Sequence, residues 1–337
     1  MLAAAAAVLG GAAYFCNSGR KIKSSNLNGK PVLPAFDVSE VAKVDVGGKV
    51  ALAATDGGWT VESLYGYPAD VTKIRENLLK LKDLTVGQTA RGRKIESGTK
   101  VDLKDAKGAV LASVTLGEQH MSKPRGQAAQ FGGGYPDGRY VKFGDGVVLV
   151  KDALDAFDGD PKKWCESRIC SVPSSDVKEV SYTKDGKTVR LERKDSAWSL
   201  EGLGEKEELD SSKTYSLDSA LSYLDFSSVA DPKKPESEFG FATGCVYAVS
   251  LKNGQSYTAK IGCASGSDRY FRVSAAFSPV GTNATENASL EKAVKDFNAK
   301  AGKWTYLISS YSADSMSKSR KDLVKAKEEP KKEEKKD

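Results

Sequence analysis

Residues 56–61 read DGGWTV and residues 195–200 read DSAWSL. In each, an Asp stands three residues before a Trp, and Trp59 and Trp198 lie 139 residues apart. Working outward tests whether one unit is written twice. Upstream, VAKVDV at 41 matches VKEVSY at 177, setting Val41 beside Val177 and Val44 beside Val180 at an offset of 136. The turn that follows is three residues longer in the second copy. From there the offset of 139 holds, aligning Val50 with Val189, Leu52 with Leu191 and Asp56 with Asp195. Period-2 alternation on both sides predicts a hairpin ending on a Trp.

Downstream, DVTKIRENLLKLKDL places Val71, Ile74, Leu78 and Leu81 on one helical face, with Asp70 as its N-cap. SSKTYSLDSALSYLDF repeats that spacing with Leu217, Leu221 and Leu224, predicting a second helix. Two hairpins come next, turning at Asp105–Gly108 and at Asn253-Gly254. GRYVKF at 138 then answers DRYFRV at 268, and ALDAFDGDPKKW answers AVKDFNAKAGKW, pairing Phe157 with Phe297 and Trp164 with Trp304. The unit reads strand–strand–helix–strand–strand–strand–helix, twice. This is an α+β class with mostly antiparallel sheets and packed helices. Residues 31–165 form the first repeat and 166–308 the second, with Trp59, Trp164, Trp198 and Trp304 as core residues. The tail 312–337 ends in KAKEEPKKEEKKD, whose alternating charge and missing apolar residues predict disorder.

Composition narrows the function classes. Hydrophobic residues make up 39% and charged residues 28% of 337, and the net charge of +6 is a small excess of 51 basic over 45 acidic groups. Basic residues are scattered among acidic ones, so no nucleic-acid stripe stands out. MLAAAAAVLGGAAYF carries no charge, and Arg20, Lys21 and Lys23 follow it. As a helix those fifteen residues span roughly 22 Å, short of a ~30 Å hydrocarbon core. The segment 1–16 is an anchor or signal-like segment, and without a basic n-region the anchor is the better reading. Phe15 stands where lipoprotein processing wants a small residue, which argues against lipidation at Cys16.

The remaining cysteines suggest bridges. A tight turn at Asn253-Gly254 sets Cys245 almost opposite Cys263, and Cys165 and Cys170 share the short stretch WCESRIC. Both pairs are read as disulfides of an exported protein, with four buried free thiols as the alternative.

Chemistry is sparse. No C-x-x-C occurs, and a single histidine, His120, leaves no mixed Cys/His zinc set. Gly132-Gly133-Gly134 is no dinucleotide fingerprint, and Gly186-Lys187-Thr188 is a hairpin turn rather than a phosphate loop. His120 lies in a long Gly-rich connection, 118–137, where Arg125, Phe131 and Tyr135 offer a binding surface. The plainer reading is a tolerated surface insertion, since CASGS closes the same gap in the second copy. No catalytic set, metal site or cofactor site emerges.

Taken together, FDVSEVAKVDV, DGGWTV, the helix after YPAD, GRYVKFGDGVVLV, and their second-copy counterparts resemble the bacterial family called domain of unknown function 4340. The resemblance covers most of residues 31–308. It implies an N-terminally anchored extracytoplasmic protein of the kind often encoded beside ABC-type export components and a gliding-motility-like auxiliary subunit. The expectation is a non-enzymatic accessory protein at the cell membrane. Its body lies on the periplasmic side, contacting a transporter or envelope complex, with no nucleic-acid partner. The alternative is a soluble exported protein that binds or hydrolyses an envelope polymer through 118–137.

Overall fold

Val44 and Val46 alternate with exposed and half-exposed residues along Lys43–Val46 (β1), which turns through Gly47 and Gly48 into Val50–Thr55 (β2). Both glycines have positive φ, a backbone state that side chains with a Cβ resist. Trp59 follows in a third strand, Gly58–Val61 (β3), so the expected two-stranded hairpin is three-stranded. The computed structural model describes residues 27–122, 134–194, 197–214 and 217–327. Two compact units divide the chain, Met1–Glu166 and Ser167–Asp337. Each is α+β, and its strand pairings are antiparallel.

In the first unit, β1–β3 are followed by Tyr67–Pro68 (β4) and then α1, Val71–Lys82. Asp70 caps α1, accepting from Thr72 N at 2.9 Å and Lys73 N at 3.2 Å. Ile74, Leu78 and Leu81 are buried as their spacing predicts, whereas Val71, at the first position of the helix, is 52% exposed. Gln88–Thr89 (β5), Thr99–Lys104 (β6), Val110–Met121 (β7), Pro136–Phe143 (β8) and Gly146–Val150 (β9) complete a nine-stranded sheet ordered β4-β3-β2-β1-β6-β7-β8-β9-β5. Two 3-10 turns, Asp155–Phe157 and Pro161–Trp164, take the place of the expected closing helix. Phe157 and Trp164 are both fully buried and pack edge to face at 5.2 Å.

The second unit opens with Arg168–Cys170 (β10), Val177–Lys184 (β11), Lys187–Lys194 (β12), Ala197–Leu200 (β13) and Glu207–Leu209 (β14). The helix expected near 211–224 is replaced by a 3-10 turn, Ser211–Lys213, and further turns. Serine-rich sequence favours this, because hydroxyls compete for backbone groups: Thr214 Oγ1 donates to Ser211 O at 2.7 Å. Leu217, Leu221 and Leu224 are nevertheless buried. Leu224–Asp225 (β15) pairs with β10, and Ser228–Val229 (β16) closes the main sheet. Cys245–Leu251 (β17), Gln255–Ser265 (β18) and Asp268–Phe277 (β19) follow, then α2, Ala284–Lys300, and Tyr306–Ser309 (β20). The eight strands run β13-β12-β11-β17-β18-β19-β20-β16.

Along β19, β20 pairs only with Asp268–Phe271, leaving the rest of that side of β19 to α2. Asn298 supplies the missing partner there: its side chain accepts from Ala275 N and donates to Ala275 O, both at 2.8 Å.

Residues 312–327, expected to be structureless, are built into the second unit. They carry most of α3 (Ser310–Ser315), a 3-10 turn at Arg320–Asp322 and Val324–Ala326 (β21), which pairs with β14. Three apolar residues of this stretch, Ala313, Met316 and Leu323, are fully buried and outweigh its charge. The closing run 328–337 lies outside the described residues, as does the apolar segment 1–16. Among the described residues no helix is long and apolar enough to cross a membrane.

Candidate functional site

The long strand β7 carries His120 within regular structure, correcting the expectation of a loop beginning at 118. β7 and β8 pair with register shifts on either side of Gln119 and His120, so the ribbon twists where its polar residues gather. Gly138 is required there, since a Cβ would come within 2.4 Å of Val150 O.

Next to it, Arg139 is 6% exposed, and its Nε and Nη1 are both engaged. Nε donates to Gly117 O at 2.9 Å, and Nη1 donates to Ala153 O and Leu154 O, each at 3.2 Å, and to Asp158 Oδ1 at 2.6 Å. These bonds hold Leu154, buried and in the left-handed region at φ 53°. Lys163 and Gln119 take further oxygens of the same turn: Lys163 Nζ donates to Asp155 O and Gln119 Nε2 to Asp155 Oδ1, both at 2.6 Å.

On the outer side, His120 Nδ1 lies 2.5 Å from Asp137 Oδ1, and its ring meets Tyr140 edge-on at 5.9 Å. Arg93 lies 3.9 Å over the Tyr140 ring and pairs with Glu118. Tyr135 (71%) and Met121 (48%) are exposed beside them. A carboxylate on one ring nitrogen fixes the orientation of an imidazole and leaves the other nitrogen for solvent or ligand. Among the described residues no hydroxyl or thiol hydrogen-bonds that histidine, and none of their His, Cys, Asp and Glu groups is placed to hold a metal. Of the expected binding residues, His120 and Tyr135 are therefore brought to one ribbon end, while Arg125 and Phe131 lie outside the described residues. Sequence reading missed Arg93, Asp137 and Arg139. The Arg-Tyr shared by GRYVKF and DRYFRV was the available signal for Arg139.

The expected disulfides are corrected: Cys165, Cys170, Cys245 and Cys263 are free thiols. Cys245 pairs in register with Ile261, two residues short of Cys263, and an irregularity between Ile261 and Ala264 turns Cys263 outward. Cys245 Sγ donates to Met316 O at 3.4 Å, Cys263 Sγ to Glu238 O at 3.2 Å. Cys165 is the last residue but one of the first unit and Cys170 lies in β10 of the second; burial pushes both thiols up to about 12. Of the four tryptophans read as core, only Trp164 is fully buried; Trp59, Trp198 and Trp304 are half-buried. Trp198 carries the Arg193 guanidinium 4.5 Å above its ring.

No curated protein and no solved structure matches the chain. A family model does, over residues 59–243, more than half of the chain, beginning at the first of the paired tryptophans. The chain belongs to the family described as Domain of unknown function (DUF4340).

Proposed function

We propose that this is a non-catalytic accessory protein, anchored at the cell membrane with its body on the periplasmic side. Its two units, copies of one, contact an ABC-type transporter or another envelope complex. The observation that carries this is the shared sheet order. The run β3-β2-β1-β6-β7-β8-β9-β5 has the same pattern as β13-β12-β11-β17-β18-β19-β20-β16, strand for strand. A duplicated sheet scaffold offers two like surfaces, which suits recognition of a paired or repeated partner. Further likenesses support the duplication. Trp59 faces Ala54 as Trp198 faces Arg193, at one offset. Asp70 N donates to Trp164 O and Asp210 N to Leu323 O, each at 2.8 Å. That last match realigns the end of the repeat. Trp164 follows β9, whereas Trp304 precedes β20, so Leu323 is the better counterpart of Trp164, and 278–305 with α2 is an insertion.

Crosslinking in cells, followed by purification from detergent-solubilised membranes, tests the reading. Transporter or envelope subunits are expected to co-purify, His120→Ala is expected to leave function intact, and removal of residues 1–15 to abolish it. Recovery of the protein alone in the soluble exported fraction would overturn the proposal. A second reading, a soluble exported protein acting on an envelope polymer through 118–137, draws on the exposed His120–Asp137 pair. It requires saturable peptidoglycan binding that is lost when this connection is trimmed to the length of CASGS.

A further inference from the structure

A cleft of about 800 Å³ opens in the first unit between the last turns of α1 and the strand entering β5, with Asn28 and Gly29 on its wall. Its charged lining has both signs: Lys80 and Lys151 beside Glu76, Asp83 and Asp152. Lys80 approaches Asp152 at 4.0 Å, a long contact. Glu76, Asp83 and Lys151 form no ion pair among the described residues, and Leu79 is 40% exposed on the same rim. Exposed carboxylates and an ammonium without protein ion pairs around one concave site complement a ligand that carries both charges.

The chain's own path says what lies opposite. Eleven residues lead from Cys16 to Leu27, a tether that reaches no more than about 40 Å fully extended. A unit held on so short a tether keeps the side where the tether enters towards the membrane, and Asn28 and Gly29 put that side at the cleft.

We propose that this cleft takes the headgroup of a membrane aminophospholipid, with its phosphate on Lys80 and Lys151 and its primary ammonium on Glu76 and Asp83. The proposal rests on the anchored reading above. A primary ammonium donates hydrogen bonds to both carboxylates, which a trimethylated choline cannot do. A purely anionic headgroup leaves the carboxylates unpaired.

The test uses the full chain reconstituted in vesicles of phosphatidylcholine alone, or with added phosphatidylethanolamine or phosphatidylglycerol. Flotation reports attachment; amide hydrogen exchange across residues 73–88 reports the cleft. The expected result is flotation with all three compositions and slowed exchange over 73–88 with phosphatidylethanolamine only. That protection should be lost in Asp83→Lys/Lys151→Glu, whose exchange over β1 and β2 stays unchanged. Soluble phosphoethanolamine should not reproduce it. Flotation with equal exchange in all three vesicles, or protection that survives the double reversal or appears with the soluble headgroup, would overturn the proposal while leaving the anchor standing. Failure to float would overturn both.

Discussion

Val46 pairs with Val101 across the first sheet, and at the matching place in the second Tyr182 pairs with Tyr247. All four are buried. The valines bring no polar atom between the strands, and a regular, well-capped α1 belongs to that unit. The tyrosines bring rings 5.3 Å apart and two hydroxyls. Tyr247 spends its hydroxyl on Leu217 O, a carbonyl that a continuous helix would use internally. The matching segment is a chain of turns. This cross-strand pair thus accompanies a helix after β4 in the first unit and a chain of turns after β14 in the second, and the apolar residues of the segment stay buried in either case. Burial follows the spacing of apolar residues, whereas helicity depends on what the backbone groups find nearby.

The largest effects should come from the paired closing residues, Trp164 and Leu323. Both are fully buried and both accept from an Asp amide. Trp164→Ala is expected to cost about 3–5 kcal/mol and Leu323→Ala about 2–5 kcal/mol, read by urea unfolding. A negligible loss at Leu323 would return residues 312–327 to the disordered tail and break the match between units.

The shared Arg-Tyr gives the next contrast. Arg139 is buried on three carbonyls and Asp158, while Arg269 is half-buried, its Nε 4.0 Å from the exposed Asp314 and without a hydrogen bond among the described residues. Arg139→Ala should cost about 3 kcal/mol by leaving buried carbonyls unpaired and taking from Asp158 its nearest partner, with only the longer contacts to Lys163 and Gln119 remaining, and Arg269→Ala less than about 1 kcal/mol. Equal losses would show that position, not environment, sets the value.

Smaller still are the hydroxyls. Tyr247→Phe removes the bond to Leu217 and should cost about 1 kcal/mol. Tyr182→Phe removes a buried hydroxyl with no partner among the described residues, and unfolding should move by no more than about 0.5 kcal/mol.

The thiols test chemistry rather than stability. At pH 8 a thiol pushed up to about 12 is thiolate in about one part in ten thousand, so native alkylation should spare Cys165 and Cys170. Exposed Cys263 should be modified, as mapped by mass spectrometry. Bridged peptides under non-reducing conditions would restore the disulfides.

Legibility in the sequence followed locality. The alternation in VAKVDV and VALAAT, the Asp70 cap and the turns at Asp105–Gly108 and Asn253-Gly254 depend on neighbours, and each is found in place. Phe297 and Trp304 repeat the spacing of Phe157 and Trp164, yet Trp164 follows β9 whereas Trp304 precedes β20, a difference that spacing alone does not reveal. The Cys245–Cys263 pairing failed on a two-residue difference in register, which a strong turn signal alone does not settle. At the ribbon end, His120 was visible as the lone imidazole. Its partner Asp137 was not, because the pair closes across 17 residues of chain.

Asn298 has one more consequence. Beyond Phe271 one side of β19 has no neighbouring strand, the kind of edge on which identical molecules zip together. One side-chain amide, presenting a donor and an acceptor as a peptide unit does, occupies that docking point from within the molecule. The helix that delivers it buries little else, with Val294 its one fully covered residue. What α2 adds to the second unit is therefore less a core element than a guard, keeping an open sheet edge from becoming the seed of a polymer.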